Sequence, residues 1–208
     1  NLLFNTLKKN PNQVKQIVSA SAIGIYPDSL TEVYTEDSTR QDSGFLGHVV
    51  EKWEASIEKF RLLNLRVAKI RTGLVLSGKG GALPEIAKPI EMYLGSAFGS
   101  GRQFQSWIHL EDIASIYQFV IANNLDGVYN GVAPNPVTNK VLTKSVAKVL
   151  RKPLFLPNVP RFVMKLALGE MHELLFSSQN VSSHKIESAG FKFKYPTIEQ
   201  ALDEIYSQ

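Results

Sequence analysis

The order of elements between Val14 and Leu76 constrains this chain more than any other feature. Val14 to Ser19 is a short apolar run ending in small residues, Ala20-Ser21-Ala22, as a buried parallel strand does. Residues 44–63 then place Phe45, Leu46, Val49, Val50, Trp53, Ile57, Phe60 and Leu63 on one broad stripe at helical spacing. Glu51, Glu54, Glu58 and Arg61 fall on the opposite side. His48 and Lys52, one turn apart, fall on the edge of the stripe beside the core. Leu65 to Leu76 follows as the strongest strand of the chain. Strand, helix and strand in alternation predict an α/β fold.

The remaining residues continue that alternation. Residues 1–10 read as an amphipathic helix ended by Asn10-Pro11-Asn12. Tyr26 to Ser43 is polar and turn-rich, a loop of about 17 residues, and loops of that length are usually functional or disordered. Glycine-rich turns at Ser77-Gly78-Lys79-Gly80-Gly81 and Gly95 to Arg102 flank a helix at Pro84 to Leu94. Gln105 to Leu110 is extended, and Glu111-Asp112 opens a helix at Ile113 to Asn123, with acids at its positive end. A strand at Val128 to Asn130 and a helix at Lys140 to Leu150 follow. After Lys152-Pro153 the chain is punctuated by prolines. A helix is expected at Arg161 to Ala167, another at His184 to Ala189, an alternating strand at Phe191 to Tyr195 and a capped helix at Thr197 to Tyr206.

Composition excludes several function classes. There is no cysteine, so disulfides, thiolate metal sites and cysteine nucleophiles are ruled out. That absence fits a cytoplasmic protein. The net charge is +4 and the pI about 9.2, but the basic residues are scattered, which gives no reason to expect nucleic acid. No apolar run approaches the ~18 residues that span a membrane, and no signal peptide is visible. His172 and His184 have no partners at metal-ligand spacing, so no metal site is expected.

Several stretches together resemble the extended short-chain dehydrogenase/reductase superfamily, of the sugar-nucleotide epimerase/dehydratase type. They are Ser19-Ala20-Ser21-Ala22-Ile23-Gly24-Ile25-Tyr26, Glu51-Lys52-Trp53-Glu54, Arg71-Thr72-Gly73-Leu74-Val75-Leu76 with Gly80-Gly81-Ala82, and Trp107-Ile108-His109-Leu110-Glu111-Asp112-Ile113-Ala114. Gly127 to Pro134 and Ser188-Ala189-Gly190-Phe191 complete the series, which covers nearly the whole chain in the expected order. The match is closer to one atypical branch, the epimerase family proteins with a distinctive C-terminal domain. The resemblance implies the C-terminal part of a Rossmann-like doubly wound parallel sheet with a smaller α/β substrate-binding lobe. On this reading residues 1–150 are the second half of the nucleotide-binding domain, with substrate-lobe insertions near 77–107. Residues 151–208 are the family-specific lobe. It also implies that a glycine-rich phosphate-binding strand, turn and helix, about 90 residues on domain-size grounds, lies upstream of Asn1.

The resemblance carries a chemistry as well. In the superfamily a serine or threonine hydroxyl holds the substrate oxygen and a tyrosine moves the proton. A lysine lowers the tyrosine pKa and binds the nicotinamide ribose. Ser21 matches the hydroxyl and Lys52 the lysine, with Ala20 beside the cofactor. His48 stands where the tyrosine is expected. An imidazole there either shuttles protons near pH 7 or is a surface side chain. Tyr26 either supplies a phenol from the loop or packs beneath it. Arg71, Thr72, Gly73 and Leu74 either lie near the nicotinamide or simply continue a strand. Gly80, Gly81 and Arg102 sit in loops that would close over substrate, and Arg102 either pairs a phosphate or carboxylate or is solvated. Trp107, His109 and Asp112 read as structural, with Asp112 supporting a helix start.

The implied cofactor is NADP(H) or NAD(H), and the implied substrate a nucleotide-sugar or small carbonyl or alcohol, with a homodimer as a possible assembly. The alternative on the same fold is a non-catalytic dinucleotide-binding or interaction protein.

Overall fold

The computed structural model describes residues 2–160, 162 and 176–207. Apart from Phe162, the helix expected at Arg161 to Ala167 lies outside them, as does His172. Helix α1 (Leu2–Lys9) leads to β1 (Gln16–Ala22), a single 3-10 turn (Ile23–Ile25) and the short strand β2 (Val33–Tyr34). Helix α2 (Phe45–Glu58) runs into a second 3-10 turn (Lys59–Leu63) and then β3 (Arg66–Thr72). Later come β4 (Leu74–Leu76), α3 (Ala82–Glu91), β5 (Phe104–Gln105), β6 (Trp107–His109), α4 (Leu110–Ala122) and β7 (Gly127–Gly131). Strand β8 (Val137–Thr138), α5 (Asn139–Val149), β9 (Asn180–Val181), α6 (His184–Ser188) and α7 (Ile198–Tyr206) complete the order.

The central sheet is parallel, in the order β1-β3-β7. Its register sets Ser21 beside Arg71, and Ala22 beside Thr72, which in turn lies beside Gly131. This is the Rossmann-like α/β architecture that the sequence predicts. Alternation along β3 sends Ala68 and Ile70 into a core with Ile113, Ile116 and Val120 of α4. The opposite face of β3 carries Val67, Lys69 and Arg71 toward α2 and the 3-10 turn after it.

That cationic face rotates α2 part of the way: Val50 and Phe60 of the expected stripe are buried, and Ile57 and Leu63 pack beside Phe60. The helix buries Gly47, Val50 and Glu54, whereas Phe45, Leu46, Val49 and Trp53 of the expected buried stripe are exposed. His48 and Lys52 are exposed too, not set beside the core. The physical reason is pairing. A buried arginine and lysine on β3 need acceptors, and the acids of α2 supply them.

The long strand expected over 65–76 is two strands. Gly73 breaks it: its N–H donates to Gly131 O, the next N–H (Leu74) donates to Ser106 O, and β4 pairs with β6 instead of β7. A Cβ at Gly73 would stand 2.3 Å from Ser106 O, so only glycine lets the chain cross between the two sheets here.

Strand β4 feeds a second core. Leu76, Leu83, Ala87, Ile90 and Trp107 pack there with Leu142 and Val146 of α5 and with Ile198, Ala201 and Leu202 of α7. A Thr197–Gln200 capping box starts that last helix.

Phe191 to Tyr195 alternates like a strand but forms none. The backbone N–H groups of Lys194 and Tyr195 donate to the two carboxylate oxygens of buried Asp112, at 2.8 and 3.0 Å. Asp112 therefore ties the C-terminal segment to α4. The cap of α4 is His109, whose Nδ1 accepts from the Glu111 N–H and whose Nε2–H donates to Glu204.

Candidate active site at the strand ends

The carboxyl ends of β1, β3 and β7 lie side by side, the place where ligands bind in open parallel sheets. A buried polar network crosses all three. Ser21 of β1 donates its hydroxyl proton to Glu54 Oε1 at 2.6 Å. Arg71 of β3 grips the same carboxylate with a fork, Nε to Oε1 at 2.9 Å and Nη2 to Oε2 at 3.0 Å. Its third arm, Nη1, donates to the Tyr26 hydroxyl at 2.9 Å. Tyr26 donates in turn to Asn130 Oδ1 of β7 at 2.7 Å. Asn130 gives its amide N–H to Ser182 O, and its backbone N–H donates to Glu36 Oε1.

Burial and charge set the protonation of this network. Burial alone would raise the Glu54 carboxyl, but hydrogen bonds from Arg71 and Ser21 and the charges of Arg71 and Lys69 hold it below its ordinary value. Burial would likewise lower the Arg71 guanidinium, and the bonds to Glu54 and Tyr26 raise it instead. The Tyr26 phenol is pushed up by burial, partly offset by Arg71. The network is thus a carboxylate and a guanidinium bracketed by two neutral hydroxyls.

The structure sorts the expected site residues into groups. Ser21, Arg71 and Tyr26 come together, joined by Glu54 and Asn130. Tyr26 is 1% exposed and stacks on Tyr34 at a centroid distance of 5.2 Å, so it packs beneath the loop. Ala20 is exposed on β1. Thr72 is partly buried; its side chain bonds Ile70 O and Tyr117.

His48 and Lys52 do not meet Ser21. Two residues along a helix is a rotation of about 200°, so Lys52 points away from the face that carries Glu54. His48 Nδ1–H donates to Gly44 O within its own helix turn. Lys52 makes no ion pair among the described residues. Gly80, Gly81 and Arg102 are exposed in loops, with Gly81 preceding α3 and the Arg102 N–H donating to Ser100 Oγ.

Glu54 and Asn130 escape the sequence reading. Glu54 sits at the spacing of a solvent face, and only the match of its position to Arg71, 17 residues on, would have exposed it. Asn130 ends the strand expected at Val128 to Asn130, without any signal of its contact to Tyr26.

The carboxyl edge of β1, β3 and β7 is the kind of edge at which open α/β sheets bind a dinucleotide. A Cβ at Gly24 would make one ordinary contact, with Leu46 Cβ at 3.9 Å, and Ser21 lies beside Arg71, with Ala22 beside Thr72. A Cβ at Gly80 or Gly127 would meet nothing within 4 Å, whereas Gly99 faces Phe176 and Gly101 faces Lys140. Among the described residues there is no group of three or more metal-binding side chains and no helix long and apolar enough to cross a membrane.

Comparisons with known proteins agree with this architecture. Residues 159–205 match the family described as "Domain of unknown function (DUF1731)". The chain is 38% identical over 200 residues to the epimerase family protein YfhF of Bacillus subtilis (strain 168), covering 96% of this chain and 65% of that protein. The crystal structure of human epimerase family protein SDR39U1 (isoform 2) with NADPH superposes with a TM-score of 0.89. It is 33% identical, covering 99% of this chain and 70% of that one. A nucleoside-diphosphate sugar epimerase from Corynebacterium glutamicum gives a TM-score of 0.77 at 32% identity, over 95% of this chain and 39% of that one. The chain spans about two thirds of the Bacillus and human relatives.

Proposed function

The chain belongs to the epimerase family, and on that footing we propose that it binds NADP(H) or NAD(H) at the carboxyl edge of its parallel sheet and acts on a nucleotide-sugar or small carbonyl or alcohol. The observation that supports this reading is the adjacency of the carboxyl ends of β1 and β3, where Ser21 pairs with Arg71 and Ala22 with Thr72, one residue before the Gly73 crossing. Ligands of open α/β sheets bind there. A relative with the same fold over 99% of this chain was solved with NADPH.

In this reading the Thr72–Leu74 edge positions the nicotinamide end and Ser21 orients the reacting group. The dinucleotide, when bound, supplies hydride transfer. Glu54 and Arg71 hold Ser21 in place. Tyr26 pins the loop to β7 through Asn130.

Equilibrium titration with NADPH and NADH, followed by their fluorescence, tests the cofactor half. Saturable binding that weakens in Ser21→Ala supports the reading, and absence of binding overturns it. A turnover panel of nucleotide-sugars and small carbonyls tests the reaction. Binding without turnover on any member would favour the non-catalytic alternative.

A further inference from the structure

The bookkeeping of protons in the buried network limits what Ser21 can offer a ligand. A serine hydroxyl has one proton and two lone pairs, and a carboxylate only accepts. Arg71 grips both oxygens of Glu54, and Lys69 Nζ stands 4.0 Å from Oε2. Arginine does not deprotonate in proteins, so Glu54 remains the acceptor. The proton of Ser21 is therefore committed to Glu54, across a short charge-assisted bond of 2.6 Å. Ser21 makes no other side-chain hydrogen bond among the described residues. What it can still offer is its lone pairs.

Tyr26 is spent in the same way. Its oxygen accepts from Arg71 Nη1 and its proton goes to Asn130 Oδ1. The bond from Asn130 Nδ2 to Ser182 O fixes which end of that amide faces the phenol. Neither hydroxyl of the network has a proton free for a ligand.

We propose that Ser21 meets its ligand as a hydrogen-bond acceptor only, set so by Glu54 and Arg71 as positioning residues. It therefore selects a ligand group that carries a donor over a carbonyl or ether in the same place. This deepens the functional reading above and rests on the β1 edge being the ligand site. The donor has two possible sources, an alcohol hydroxyl of substrate or the carboxamide N–H of a nicotinamide.

The test has three arms on the full chain. The first needs no ligand: the Glu54 carboxyl is titrated by carbon-detected NMR in the wild type and in Ser21→Ala. Losing a donated hydrogen bond raises the carboxyl pKa. An unchanged titration overturns the donor assignment. The second compares NADP+ with its 3-acetylpyridine analogue, which lacks the carboxamide donor. The third compares UDP-glucose with UDP-4-deoxy-4-fluoroglucose, where an acceptor replaces a hydroxyl.

Discrimination of about tenfold against the donor-less member of one pair, abolished by Ser21→Ala, supports the proposal and identifies the source. Binding of NADP+ with no discrimination in either pair overturns it while leaving the cofactor reading intact. No binding of any probe overturns both the cofactor reading and the ligand half of this one. Glu54→Gln adds a readout that a purely structural role would not move. Its amide N–H can donate to Ser21 and free the serine proton, so the preference shifts toward the acceptor ligand. If that variant does not fold, Ser21→Ala still decides, because it leaves the Glu54–Arg71 fork untouched.

Discussion

Replacing Glu54 by alanine should be among the most damaging single changes to this fold. Glu54 is 8% exposed, and removal of its side chain strands Arg71, 7% exposed, with only the Tyr26 hydroxyl as partner. Lys69 keeps Glu58 at 2.8 Å, so the loss centres on Arg71. Breaking a buried ion pair from one side costs about 3–5 kcal/mol, because the desolvated charge that remains has no compensation. For a chain of this size each kcal/mol lowers Tm by about 2–4 °C, which places the expected drop near 6–20 °C.

Urea unfolding and differential scanning calorimetry of wild type and Glu54→Ala measure it directly. The companion variant, Glu54→Leu with Arg71→Met, removes both charges and should recover most of the loss, since apolar replacement of a buried pair is often close to neutral. The pH dependence follows from the lowered Glu54 carboxyl. Its stabilisation is complete above its ordinary value of 4.5 and is lost as pH falls through the lower folded value. Wild type should therefore lose stability more steeply than Glu54→Ala below about pH 4.5. A cost under about 1 kcal/mol for Glu54→Ala would show that the pair is solvated and would refute the reasoning.

Three further outcomes are expected. Asp112→Ala orphans the N–H groups of Lys194 and Tyr195 and should cost about 3 kcal/mol, with faster amide exchange at those two residues; Asp112→Asn, with one acceptor oxygen, should fall between. Gly73→Ala forces a Cβ to within 2.3 Å of Ser106 O and should destabilise by about 3 kcal/mol, seen as a shifted urea midpoint with an unchanged slope. Lys52→Ala should leave stability within about 0.5 kcal/mol. It should also leave NADPH affinity within about threefold, because the ammonium lies about 200° around α2 from the face that meets Ser21; a tenfold loss would refute that placement.

Much of the molecule is legible from residue order alone. Ser21 falls at a strand end because a short apolar run gives way to small residues there. The α/β alternation follows from apolar spacing that changes from strand-like to helical and back. The cap at Thr197 follows from a threonine with glutamine three residues later.

Other features escape local reading because distant groups decide them. Phe191 to Tyr195 has the period of a strand, but a carboxylate 82 residues away in the chain takes the Lys194 N–H. The stripe on α2 looks like a buried face, yet only Val50 of its first two turns is buried, and Glu54 from the other side turns inward with it. A lysine and an arginine on β3 are buried there, and unpaired buried charge costs more than exposed apolar surface.

The sequence by itself determined the layer architecture, the position of Ser21 at a strand end and the presence of His48 where a tyrosine is expected. These depend on spacing along the chain, which residue order alone carries. The tertiary structure decided what Ser21 touches. Its partner is Glu54, its support is Arg71, and Tyr26 and Asn130 complete the network, from five residues spread between β1 and β7. Hydrogen bonds depend on direction in space, and only the packing of α2 across β1 and β3 brought those groups within reach.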